Sequence, residues 1–259
     1  MMPRACYVYC IVRSGKRPAV ARVPPGMPGG ERPSVVDAGD GLWLAVSGVP
    51  LDRYGPGAVE SKLRDLDWVS EAAVAHEAVV EHFARLRGAV VVPMKLFTMF
   101  SSEARAVADV QSRRAAIDAI LAHIGGCEEW GVRVSRNAAA PARARQTAAA
   151  PRTGTAFLAA RKKARDAARD ASQQAARAAA HVYEELFPMA RDARRREDAP
   201  PGAVPPLLDA AFLIPSDARS KFRLAARRAA KACTAAGAEM LLTGPWPAYN
   251  FVQPRSEQV

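Results

Sequence analysis

Cys6-Tyr7-Val8-Tyr9-Cys10-Ile11-Val12 is an unbroken run of aromatic, β-branched and thiol residues. Its length and residue types predict a buried β-strand. The run is too short to span a bilayer, and no other stretch approaches that length. Arg4 ahead of it and Ala19-Val20-Ala21 behind it imitate a cleavable leader. The two tyrosines and the immediate Arg13, Lys16 and Arg17 argue against one. Working outward, residues 18–33 are rich in Pro and Gly and form a loop. Leu42-Trp43-Leu44-Ala45-Val46-Ser47 predicts a second strand, ending near the turn-like Tyr54-Gly55-Pro56-Gly57. A helix capped by Asp67 follows, with its apolar stripe at Trp68, Ala72, Ala75, Val79, His82 or Phe83, and Leu86. Ala89-Val90-Val91-Val92 gives a third strand. Ser101 or Ser102 caps a second helix facing inward through Val107, Val110, Ile117, Leu121 and Ile124. Trp130-Gly131-Val132-Arg133-Val134 closes the unit as a fourth strand. This order predicts an α+β domain over residues 1–137, a sandwich of ferredoxin-like type with its helices covering one sheet.

Residues 138–153 are Ala, Arg and Pro without apolar periodicity and predict a linker. Trypsin is expected to cut there first. A long helix over about 155–187 follows from its alanine and arginine content. Beyond the Pro-rich break at 200–206 come a strand over 210–214, a helix over 217–235 stopped by Gly237, and a strand over 239–242. Residues 154–259 therefore predict a second, smaller α+β domain with a long helix and an aromatic, proline-rich tail.

Composition narrows the function classes. A chain of 259 residues with 49% hydrophobic and 24% charged residues buries a substantial core. Lys and Arg outnumber Asp and Glu by 37 to 26, a net charge of +11. The excess is local: residues 138–180 hold nine basic residues against Asp166 and Asp170. Four scattered cysteines suit reduced thiols in a cytoplasm better than a disulfide framework. His76-Glu77 and Glu81-His82 suggest catalysis or metal binding, but His76 and His82 are six apart and do not share a helix face. A solvated or half-buried helix face is the expectation for both. Cys6 and Cys10 share a strand face by count, with no second pair to complete a zinc site. No phosphate-binding glycine loop or nucleophile elbow is present. The expectation is therefore no catalytic residue, no metal, no cofactor and no small-molecule substrate. Arg161, Lys162, Lys163, Arg165, Arg169 and Arg177 offer an alternative, a nucleic-acid-binding module. Against it stand the interrupting acids and the lack of interleaved aromatics.

The C-terminal stretch Leu242-Thr243-Gly244-Pro245-Trp246-Pro247-Ala248-Tyr249-Asn250-Phe251-Val252 sets aromatics on a proline-stiffened backbone. Such a segment serves as a docked tail or as a binding surface. It also resembles the terminal signature of the gas vesicle F/L family. Tyr7-Val8-Tyr9, Asp67-Trp68 with Ala75-His76-Glu77, and Val91-Val92-Pro93 with Phe97-Thr98-Met99-Phe100 agree in order. So do Ser102-Glu103, Glu129 through Val134, and Phe157-Leu158 with Arg161. Near Phe97 many members carry a glycine, so this chain departs from the pattern there. The resemblance implies an accessory or minor structural protein of gas vesicle formation, with a ferredoxin-like N-terminal domain and an α+β C-terminal domain. It implies partners: the major apolar shell protein, whose aggregation it would limit, and other accessory proteins. Trp246, Tyr249, Phe251, Phe97 and Phe100 are the candidate partner-binding residues.

Overall fold

The computed structural model describes residues 3–137, 154–196 and 204–253. The linker expected at 138–153 and most of the Pro-rich break lie outside the described residues. The chain is α+β with two sheets and a helix of 33 residues. It divides into two compact units: residues 1–127 with 246–259, and residues 128–245.

In the first unit, β1 (Arg4–Arg13) is the spine. It pairs antiparallel with β3 (Leu42–Pro50), β4 (Val90–Pro93) and the short β5 (Met99–Phe100). β2 (Ser34–Gly39) adds to the far side of β3, giving the order β2-β3-β1-β4, the strand order of a ferredoxin-like sheet. Residues 5–12 of β1 are all buried, so both faces of the strand are covered. The short helices α1 (Leu51–Tyr54) and α2 (Pro56–Lys62) lead into α3 (Leu66–Ala84). α3 lies on β1 and β4 through Trp68, Ala72, His76, Val79, Val80 and Phe83. Its N-cap is Asp65, whose carboxylate accepts from the Trp68 N–H at 3.1 Å, and not Asp67 as expected. A capping carboxylate stands two or three residues ahead of the N–H it binds, at the position just before the helix, and Asp67 already lies inside the first turn. The second expected helix is two: α4 (Glu103–Ser112), capped by Ser102, and α5 (Arg114–Ile124). They lie on β1, β2, β4 and β5 and bury Ala106, Val110, Ile117, Leu121 and Ile124.

A register shift between Val8 and Cys10 marks a β-bulge in β1. Beyond it the alternation changes phase. Cys10 joins Tyr7, Tyr9 and Val12 in the core under α3, whereas Cys6 feels Glu103 of α4. The bulge therefore puts the two thiols on opposite faces, contrary to the simple count. Burial raises the Cys6 pKa to about 11 and pushes Cys10 up as well.

The expected fourth strand is β6 (Cys127–Arg136), and it belongs to the other sheet. Its Trp130, Val132 and Val134 face α6 (Gly154–Leu186) and α7 (Arg219–Ala235) in one core. The remaining strands are β7 (Asp192–Arg195), β8 (Leu208–Pro215) and β9 (Ala238–Trp246), in the order β7-β8-β6-β9. The sequence β-α-β-β-α-β with this order is again the ferredoxin-like arrangement. α6 buries Ala175, Ala179, Val182 and Leu186, and α7 buries Phe222, Ala226, Ala229 and Cys233. Each row advances by three and four, so each is one helix face. Large rings fill what the alanines leave: Phe222 lies 6.0 Å from Trp130 and 5.8 Å from Phe212. Asp209 on β8 is buried, and its two oxygens are shared between Arg133 on β6 and Arg196. A buried carboxylate needs such pairing, because losing one partner leaves an uncompensated charge.

Candidate functional site

The terminal segment is a docked tail at one end and exposed at the other. Pro247 to Phe251 turns through a short 3-10 helix, Tyr249–Phe251. Phe251 is 2% exposed and Ala248 is buried. Tyr249 packs, partly buried, on the core under α3, its ring centroid 6.5 Å from that of His76. Trp246 is 41% exposed. Proline at 245 and 247 keeps this stretch from forming a continuous α-helix, so rings a few residues apart face different surroundings.

The tail's seat is a buried polar cluster. Tyr7 and Tyr9, two apart on β1, have centroids 4.8 Å apart and both point under α3. The Phe97 N–H donates to the Tyr7 hydroxyl at 3.3 Å. That leaves the hydroxyl's own proton for His76 Nδ1, 2.7 Å away. The Tyr9 hydroxyl accepts from the Met27 N–H at 2.8 Å and bonds Ser47 Oγ at 2.8 Å. Residues 18–33 are thus pinned to the core through Tyr9. Gly26, at φ 81°, lets that loop pass where a Cβ would collide with the Tyr9 hydroxyl. Burial lowers the His76 pKa to about 4, with the Met94 backbone opposing, so the ring is neutral. Burial, and then the neighbouring Glu77 carboxyl, hold the Tyr249 proton on; burial likewise raises Glu77. The Tyr7 hydroxyl is raised by the same burial.

His76 is therefore a core residue, 3% exposed, and not the solvated or half-buried face expected of it. The inward row of α3 passes through 72, 76 and 79–80, one position from the predicted Ala75. His82 bonds the Ala19 carbonyl at 3.1 Å and is remote in role from His76. The signal that could have found the cluster is the pair Tyr7 and Tyr9 at strand spacing. Two phenols on one buried face need polar partners.

Phe97 and Phe100 are partly buried. Phe97 stacks on Trp68 at 5.2 Å with planes 10° apart, and Phe100 lies in β5 opposite Cys6. Phe97 has φ 65°, the left-handed region that glycine occupies without strain. A glycine at this position would hold the same backbone without strain. The structure brings Phe97 and Tyr249 to the same core, leaves Trp246 exposed, and buries Phe251. Among the described residues no cluster of His, Cys, Asp and Glu has a metal-holding arrangement. None of the described helices is long and apolar enough to cross a membrane.

Comparison with known proteins covers this whole architecture. Residues 5–253 match the family model described as gas vesicle synthesis protein GvpL/GvpF. Gas vesicle protein L from Streptomyces sp. (strain CB03234) is 29% identical, over 99% of this chain and 96% of that protein. The crystal structure of the gas vesicle protein GvpF from Anabaena sp. PCC7120 superposes with a TM-score of 0.68 at 15% identity, covering 97% of each chain. That of GvpF from Microcystis aeruginosa gives 0.59 at 12% identity, covering 96% of this chain and 99% of the other. The chain belongs to the GvpL/GvpF family of gas vesicle synthesis proteins.

Proposed function

We propose that this protein is a non-enzymatic, chaperone-like accessory factor of gas vesicle assembly, acting in the cytoplasm. In this reading it binds the apolar shell subunit and limits its aggregation before assembly. Membership of the family supports the assembly role. The observation that carries the finer reading is the division within the terminal segment. Phe251 is anchored and Trp246 is exposed beside it in sequence, so a stiff backbone presents an indole to a partner. Phe97 and Tyr249 pack on the core of the first unit, and Phe100 lies in β5 opposite Cys6.

Quantitative pull-down of the shell subunit by single alanine variants tests this assignment. Trp246→Ala should melt like the parent and weaken binding by roughly 1 kcal/mol or more. Parent-like binding by Trp246→Ala would remove the indole from the interface.

A further inference from the structure

α6 is two helices in one. Its second half packs on the sheet through Ala175, Ala179, Val182 and Leu186. Its first half adds no buried residue to that core among the described residues: Thr155 and residues 157–171 are exposed without interruption. That is about 25 Å of helix at 1.5 Å per residue. Helices of this length are marginal alone in water, even when rich in alanine.

The sequence of the free half is nonetheless ordered by face. Phe157, Arg161, Ala164, Ala168 and Ser172 step by three and four directly into the buried row at Ala175 and Ala179. The core-facing row therefore continues past the end of the core. Phe157 and Leu158, at its start, are 52% and 64% exposed. Lys162, Arg165 and Arg169 lie along one rim of this row, at the same three-and-four spacing. Asp166 and Asp170 fall on the opposite side of the helix. Arg165 reaches Asp166 at 3.8 Å, an exposed contact that stabilises little. Cations thus border the apolar row while the acids stand behind it.

We infer that the first half of α6 docks an acidic amphipathic helix of another protein, laid along the row of Phe157, Ala164 and Ala168. Alanines let two helix axes approach closely, and carboxylates on the incoming helix meet Lys162, Arg165 and Arg169 at the rim and Arg161 within the row itself. A second copy of this chain is a poor occupant, because it brings the same cations to the same rim. Nucleic acid would use the cations but not the apolar residues beside them. The inference does not depend on the shell-binding proposal.

The test uses the full chain and a synthetic helical peptide of about 20 residues, with a Leu/Ala seam flanked by Glu. A scrambled peptide of equal composition and a short DNA duplex serve as comparison ligands, read by fluorescence anisotropy at one salt concentration. The seam peptide should bind at least about tenfold tighter than the scrambled one. Arg165→Glu with Arg169→Glu should lower its affinity about tenfold or more, whereas Lys163→Glu, on the acidic side, should change it little. A seam peptide with Lys in place of Glu should bind the charge-reversed protein and not the parent, which separates a lost surface from a lost fold. No binding, equal binding of the scrambled peptide, or failure of the charge swap overturns the inference. Tighter binding of the duplex overturns it in favour of phosphate recognition.

Discussion

Because burial holds the His76 pKa near 4 against 6.5 for a free ring, folding favours the neutral imidazole. The stability this gives is complete above about pH 6.5. It drains as pH falls toward 4, where the unfolded chain takes up the proton first. Between pH 7 and pH 5 the loss from His76 is roughly 2 kcal/mol. Glu77 acts with the opposite sign, since its pKa is raised and the folded state gains its proton earlier on acidification. Urea midpoints of the parent and His76→Gln at both pH values isolate the histidine. The variant's stability should fall by roughly 2 kcal/mol less than the parent's over that interval; equal falls would remove His76 as the acid-sensitive group. Phe97 offers a second test. At φ 65°, alanine keeps the backbone strain and glycine releases it. Phe97→Ala should therefore be less stable than Phe97→Gly by about 1 kcal/mol, the reverse of the usual order within helices or strands. Neither feature was legible beforehand. The inward row of α3 differs from the predicted one by a single position, and a polar residue type hid His76 from a search for apolar stripes. Positive φ at a phenylalanine leaves no mark in the residue type at all.

Elements with strong apolar periodicity were readable: β1, β3, β4, α3, both halves of the Ser102–Ile124 region, β8, α7 and β9. β2 and β7 were not. β2 (Ser34–Gly39) opens beside Pro33 and ends in Asp37-Ala38-Gly39. β7 (Asp192–Arg195) has three charged residues in four. Each is a strand because a neighbour supplies the pairing, β3 in one case and β8 in the other. The length of α6 was readable from its alanine and arginine content, but its division was not read, because alanine runs through both halves; the mark it left is that the basic residues gather in the first half, with Arg177 alone in the second. Burial makes the two halves respond differently. Ala179→Leu should cost about 1–3 kcal/mol by overpacking a filled core. Ala168→Leu should leave the stability within the scatter expected of surface changes, about 0.5 kcal/mol. Amide hydrogen exchange should show residues 157–171 exchanging far faster than 175–186. Equal protection across α6 would contradict the division.

At the scale of the whole molecule, the compact units do not follow the expected boundaries at 137 and 154. β6 joins the sheet of the second unit, and residues from 246 onward join the first. An apolar strand such as Trp130–Val134 suits either sheet equally; which sheet it joins is decided by strands 60 to 110 residues later in the chain, such as β8 and β9. The fold class was legible and the partition was not. The first unit should accordingly depend on the chain's far end. Phe251→Ala should cost roughly 3–5 kcal/mol, because its ring is fully buried. Thermal melting should show that loss, and a parent-like melt would mean the tail anchors nothing. Of the terminal candidates, the sequence marked the aromatics as a group, while their separation into anchor and exposed ring depended on local backbone path. The central claim, shell-subunit binding through an apolar surface, is tested most directly by co-purifying the shell subunit with this protein at salt from about 50 mM to about 200 mM. Apolar recognition predicts a captured amount that holds steady across the series; failure to capture the subunit, or capture that collapses as salt rises, contradicts it.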